Sequence, residues 1–156
     1  MYQIYPMSAT YAKDIFTWKY PGEYALYNNE ETKEALDEFL NGRYYVCLRD
    51  QEIVGFFAFG PSARIPAIEE DAYEEGPLDI GLAMRPDLCG RGYGSDFLSL
   101  GISFAREQWN PQSFRLTVAQ FNQRAIKAYT KVGFRKVKEL NHKMVDMKFD
   151  VMLRQS

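Results

Sequence analysis

The pattern of apolar and polar positions changes period repeatedly along the chain, and each change marks an element. Residues 2–6 read as a short strand, and Ser8 offers an N-cap for a helix over about residues 10–19. Residues 18–29 are aromatic and turn-rich, broken at Pro21-Gly22. A second helix is expected over 31–40, with acids in its first turn and Asn41-Gly42 at its stop. Residues 43–48 and 52–59 alternate around Arg49-Asp50-Gln51, as an antiparallel hairpin does. An acidic, proline-containing loop then leads to an apolar strand over 78–84. Phe97, Leu98, Ile102, Phe104, Ala105 and Trp109 recur at the spacing of a helix with one apolar face. A strand over 114–119, a helix from Asn122 to Val132 and strands over 134–140 and 144–153 complete the chain. The order β-α-α-β-β-β-α-β-α-β-β makes this an α/β protein with a mixed sheet, holding a parallel pair among mostly antiparallel strands. No repeat, low-complexity tract or linker divides it, so a single domain over 1–156 is expected.

Between the strand ending at Met84 and the helix after it lies Pro86-Asp87-Leu88-Cys89-Gly90-Arg91-Gly92-Tyr93-Gly94-Ser95. Three alternating glycines let the backbone turn tightly and approach a ligand with no Cβ in the way. A glycine loop entering a helix leaves several N–H groups without partners, aimed at one spot that suits a phosphate. The helix dipole contributes roughly 0.3–1 kcal/mol for an anion placed there, and Arg91 adds a mobile positive charge. Other phosphate loops fit less well. No Lys follows these glycines as a P-loop requires, and the third glycine comes two positions after the second, where a dinucleotide fingerprint needs three. A glycine-rich turn ahead of an ordinary helix is the plain alternative.

About thirty residues on comes Asn122-Gln123-Arg124-Ala125-Ile126-Lys127-Ala128-Tyr129-Thr130-Lys131-Val132-Gly133-Phe134. Asn122 is a good N-cap, and Gly133 sits where helices commonly end in the left-handed conformation. Asn122 and Tyr129 stand two helical turns apart, so an amide and a phenol share a face with Ala125 and Ile126. Read singly, they are a cap and a packed aromatic; tied to the glycine loop, they read as part of a site.

Together the two blocks resemble the signature of the GNAT superfamily of acyl-CoA-dependent N-acyltransferases, over about residues 78–140. The resemblance implies acetyl-CoA as cosubstrate and transfer of its acetyl group to a primary amine by direct attack in a ternary complex. It implies that Gly90, Arg91, Gly92, Tyr93 and Gly94, running into Ser95, hold the pyrophosphate. The strand through Leu82 and Met84 would pair its backbone with the pantetheine arm, and one of its N–H groups would polarise the thioester carbonyl. The residue matching Asn122 hydrogen-bonds pantetheine in the family, and the tyrosine matching Tyr129 serves as general acid for the leaving thiolate. Asp79 stands on the strand leading to the loop, where family members often place a carboxylate, and is the candidate general base; a strand-end residue facing solvent is the other reading. The family's pattern opens with Gln or Arg where this chain has Cys89, so any side-chain contribution there is changed while the backbone amides are not. A nucleophilic Cys89 finds little support, since the only histidine, His142, belongs to an expected hairpin turn.

An alkylammonium with pKa about 10.4 is unprotonated in roughly one molecule in a few thousand at pH 7, so a base or a desolvated site must make up the deficit. Trp18, Tyr20, Tyr24 and Tyr27 either wall the acceptor pocket or belong to the core. Glu69, Glu70, Asp71, Glu74 and Glu75 are either a solvated loop or a patch that draws in cations. The acceptor itself, a small-molecule or peptide amine, is not fixed by the fold. A non-catalytic acyl-CoA-binding module is the alternative, and the presence of both Asn122 and Tyr129 speaks against it.

Composition agrees with a small enzyme. A hydrophobic share of 46% is ample for one core, and a chain of this size buries about 70% of its unfolded surface. Net charge of −2 without a Lys/Arg stripe suggests no nucleic-acid partner. No metal spacing is present, so no metal is expected. Two cysteines without a framework, no apolar run long enough for a membrane span and no leader-like N-terminus point to a cytoplasmic, membrane-free protein. A homodimer through edge strands stays open.

Overall fold

A computed structural model describes residues 1–156. Its elements are β1 (Tyr2–Pro6), α1 (Ala9–Ile15), α2 (Lys33–Phe39), β2 (Tyr44–Arg49), β3 (Glu52–Phe59), β4 (Leu78–Met84), α3 (Gly94–Trp109), β5 (Ser113–Ala119), α4 (Gln123–Lys131), β6 (Arg135–Asn141) and β7 (Lys148–Gln155). The strands form a mixed sheet in the order β1-β2-β3-β4-β5-β7-β6. The expected fold class and element order hold. The expected parallel pair is β4 with β5, registered over Leu78–Phe114 and Asp79–Arg115; β1–β2, β2–β3, β5–β7 and β6–β7 are antiparallel. Contacts divide the chain into two compact units, residues 1–58 with 82–89, and residues 59–81 with 90–156.

In the first unit, Ser8 caps α1 by accepting from the Tyr11 N–H at 3.3 Å, and Thr32 caps α2 from the Ala35 N–H at 3.0 Å. The helix expected to reach residue 19 stops at Ile15. Burial takes over from helical periodicity there: Phe16, Trp18 and Tyr20 enter a core with Ile15, Phe39, Val46 and Phe56, and Tyr24 and Tyr27 pack at its edge. The aromatic segment is therefore core. The β2–β3 hairpin turns at Asp50 and Gln51, both at positive φ (51° and 69°), the backbone of a tight two-residue turn.

The second unit is built on β5, whose Phe114, Leu116 and Val118 are buried, as are Phe97, Leu98, Ile102 and Ala105 of α3. The last strand begins at Lys148 rather than at 144, because residues 142–147 make their own turn, with the Met144 N–H donating to His142 Nδ1 at 3.0 Å. The loop before β4 lies along this hairpin. Ile68 N–H donates to the Asn141 carbonyl and Lys143 N–H to that of Pro66, and the Glu69 carboxylate accepts from Asn141 N and Nδ2 at 2.9 and 2.8 Å. Those hydrogen bonds hold the Glu69 carboxyl below the usual range. Glu69 is thus a clip, and the loop covers part of the β6 edge that would otherwise be open to another strand.

Candidate active site

The glycine loop owes its shape to two left-handed residues, Gly90 at φ +74° and Gly92 at φ +85°, a region that side chains other than glycine rarely adopt. Gly94 has a different reason to lack a side chain: a Cβ there would stand 3.2 Å from the Ala128 Cβ, so α3 and α4 approach closely at this point. At Gly90 the position of a Cβ is crowded as well, with Arg124 Nη1 3.0 Å away. The Arg124 guanidinium thus lies against the loop backbone. Arg91 is the loop's cation expected from the sequence; Arg124 is a second one that the sequence does not signal, because nothing in the spacing of residues 90 and 124 shows that they meet.

The start of α3 differs from that of the other α-helices. Ser8, Thr32 and Asn122 each cap their helix with a side-chain oxygen, whereas Tyr93, at the N-cap of α3, makes no such bond. A helix whose first N–H groups lack a side-chain cap, approached by two left-handed glycines and flanked by two arginines, has the chemistry of an anion cradle. Arg91, Gly92 and Tyr93 are exposed and Ser95 half-buried, so the cradle is open to solvent; Asp96 is an acid in the same helical turn. The residues present therefore fit a bound pyrophosphate.

Helix α4 is fixed at both ends. Asn122 Oδ1 accepts from the Ala125 N–H at 3.1 Å. At the other end Gly133 (φ +100°) makes a Schellman motif: the Phe134 N–H reaches the Tyr129 carbonyl at 3.1 Å and the Gly133 N–H that of Thr130 at 3.0 Å. Between these ends no residue is fully buried. Ala125, Ile126, Ala128 and Tyr129 are half-buried, a row of apolar groups at helical spacing that the fold covers only in part. The expected shared face of Asn122 and Tyr129 lies on this helix.

In the first unit, Leu82 and Met84 are half-buried on β4. The Met84 carbonyl accepts from Tyr20 Oη at 2.5 Å, and the half-buried Cys89 thiol lies 3.7 Å from it and 3.6 Å from the Arg85 carbonyl. Burial, with Cys89 nearby adding to it, pushes the Tyr20 phenol above its ordinary range. Arg85 is clamped by Asp87 at 2.6 Å and the Ile53 carbonyl at 3.1 Å. Neither Cys89 nor Cys47 forms a disulfide, and burial raises the Cys47 thiol to about 11.

Asp79 is not the open carboxylate expected of a general base. It is 1% exposed, and both oxygens are engaged. Arg115 donates Nε to Oδ1 at 2.7 Å and Nη2 to Oδ2 at 2.8 Å, and Arg64 Nε donates to Oδ2 at 2.9 Å. Three guanidinium N–H groups thus engage the carboxylate inside the fold, out of contact with solvent. The solvent-facing alternative fails too. No group of three or more His, Cys, Asp or Glu side chains is placed to hold a metal ion, and no helix is long and apolar enough to cross a membrane.

Among solved structures, the chain is similar to the aminoglycoside acetyltransferase AAC(6')-Ib in complex with coenzyme A (TM-score 0.75, 14% identity, covering 99% of this chain and 95% of that one). It is similar to a chimera of spermidine N-acetyltransferase SpeG from Vibrio cholerae and hSSAT (0.75, 14%, 99% and 95%). A GNAT-family acetyltransferase from Bacillus anthracis superposes comparably (0.73, 13%, 99% and 94%). At these identities the likeness is one of fold. No curated protein matches the chain in sequence. The model of the acetyltransferase (GNAT) family matches residues 10–134, which takes in both the glycine loop and the Asn122–Tyr129 helix, and the chain belongs to that family.

Proposed function

We propose that the protein transfers an acetyl group from acetyl-CoA to a primary amine by direct attack in a ternary complex. The observation that carries this reading is the uncapped start of α3 behind two left-handed glycines, with Arg124 against the loop. Acetyl-CoA supplies the activated thioester carbonyl; the chain's own groups bind, orient and move protons. The amides of residues 90–94, with Ser95, hold the pyrophosphate, and Arg91 and Arg124 balance its charge. Main-chain groups of Leu82 and Met84 take the pantetheine arm, and an N–H of that strand donates to the developing oxyanion. Asn122 spends Oδ1 on its cap, so its contact with pantetheine is made through Nδ2. Tyr129 donates the proton that the departing thiolate takes up, while the proton lost by the attacking amine as the C–N bond forms passes to solvent water, which reprotonates the phenol.

Structural neighbours named for aminoglycoside and spermidine acetylation support small polycationic amines as the first acceptors to try, with peptide amines beside them. Two cysteines outside any disulfide support a reducing cytoplasm as the place of work. Isothermal titration with acetyl-CoA, using CoA and ATP as controls, tests the reading, followed by an amine panel monitored by thiol release. Micromolar acetyl-CoA binding with ATP silent, and thiol release that needs an amine, are expected. No binding of either CoA species overturns the proposal, and binding without turnover on any amine points to an acyl-CoA-binding module.

A further inference from the structure

Asp79 and Arg115 are directly opposed in the parallel register of β4 and β5, at the second of the two residue pairs that join these strands. Both are buried, at 1% and 4% exposure. Their fork-to-fork ion pair is the centre of a larger cluster. Arg115 Nη1 donates to the Glu74 carbonyl at 2.8 Å, and Arg64 reaches the same carboxylate from the loop before β4. Both guanidinium groups lie over the Tyr73 ring, at 5.2 Å for Arg64 and 5.1 Å for Arg115. The Tyr73 hydroxyl accepts from the Ile65 N–H at 3.1 Å and bonds Thr117 Oγ1 at 2.8 Å. Every member is satisfied, and no buried polar side-chain atom lacks a partner.

A buried ion pair is a poor choice if bulk stability is all that is needed, because desolvation offsets much of the Coulomb gain and apolar side chains can serve as well. What the bidentate pair adds is geometry. Sliding β4 by one residue against β5 would turn Asp79 to the other face of the sheet and leave two arginines without their carboxylate. The pair therefore sets both the register of β4 and the residue at which its pairing with β5 stops; from there the strand runs on to Met84.

We propose that Asp79 and Arg115 act as one positioning unit for acetyl transfer, with Arg64 and Tyr73 locking them, and that Asp79 is not a proton acceptor. The pair fixes the strand whose continuation carries the oxyanion donor and the pantetheine contacts, without touching the reacting atoms. This rests on the acetyltransferase reading above.

The test compares Asp79→Asn, Arg115→Gln and the double variant, in kcat, KM and the pH profile of kcat, at a temperature well below the melting point of each. A positioning unit predicts matched losses, roughly ten- to a hundredfold in kcat for either single variant. The double variant should be no worse than the poorer single one, and the acid limb of the pH profile should persist in Asp79→Asn. Arg115→Lys, which keeps the charge but not the fork, should fall between wild type and Arg115→Gln; it also serves if the harsher variants fail to fold. Loss of the acid limb in Asp79→Asn, with Arg115→Gln or Arg115→Lys nearly active, would make Asp79 the base and overturn the inference. Lowered melting points with unchanged kcat would reduce the cluster to a structural clasp and overturn it too. Failure of the wild type to bind acetyl-CoA would instead remove the reading beneath it, an outcome seen before any variant is made.

Discussion

Helices α3 and α4 meet where Gly94 faces Ala128, yet the chain stabilises them in opposite ways. Helix α3 is long and holds itself by its face, with Phe97, Leu98, Gly101, Ile102 and Ala105 all buried, while its N-terminus has no side-chain cap. Helix α4 is short, buries no residue fully, and is held by its ends, by Asn122 at the start and the Gly133 motif at the stop. A helix of nine residues does not persist in water on propensity alone, so those ends matter to it. Each helix thus leans on what the other uses less. The N-terminus of α3, without a side-chain cap, suits an anion, and the half-buried face of α4 suits an elongated, partly apolar ligand arm. That division of labour is what a cofactor with a charged diphosphate and a pantetheine tail requires.

The contrast is broken or upheld most directly by stability. Leu98 in α3 is fully buried, and Leu98→Ala should cost about 3–5 kcal/mol through lost transfer energy and a residual cavity. Ile126 in α4 is half-buried, and Ile126→Ala should cost less than about 1.5 kcal/mol for the smaller area it removes from cover. Urea denaturation measures both. Equal costs would mean that the face of α4 belongs to the core as much as that of α3 does.

Catalysis gives the next largest effect and should have the reverse dependence. Tyr129→Phe removes one hydroxyl from the half-buried face of α4. If that hydroxyl is the general acid, kcat falls about a hundredfold, in the range expected for loss of acid catalysis. Acetyl-CoA affinity and melting temperature should stay near wild type, because the ring and the helix ends are untouched. Steady-state kinetics with titration calorimetry would separate the two, and unchanged turnover would take Tyr129 out of the mechanism.

How much of this was legible beforehand follows from distance along the chain. The bounds of β4, the Asn122 cap and the left-handed Gly133 are local events, decided by residues a few positions apart, and the expected readings hold. The family signature is likewise two local blocks. What escaped was non-local. Asp79 looked like an available carboxylate because its partners, Arg115 and Arg64, lie 36 and 15 residues away, and no periodicity links a strand residue to its cross-strand counterion. Helix α1 ended early for a related reason, since burial of Phe16, Trp18 and Tyr20 overrode a helical pattern. The late start of β7 reflects a hairpin turn held partly by the loop before β4, again a long-range contact.

Arg124 is the smallest and sharpest test of the two-helix contrast, because it stands on α4 but faces the loop that opens α3. Both arginines are exposed, but the Arg124 guanidinium already lies against Gly90, whereas Arg91 makes no ion pair or side-chain hydrogen bond within the chain. A charge already positioned loses less side-chain entropy on meeting an anion than one that must be ordered. Arg124→Gln should therefore weaken acetyl-CoA binding about tenfold, worth about 1.4 kcal/mol, and Arg91→Gln should weaken it less. Both deficits should shrink as ionic strength rises, since screening over a Debye length of about 8 Å at physiological salt removes part of what the charge contributed. Titration calorimetry at low and high salt measures the pair. A larger loss at Arg91, or losses indifferent to salt, would mean that Arg124 merely fills the space a side chain at position 90 would need, and that α3 binds its anion through backbone alone.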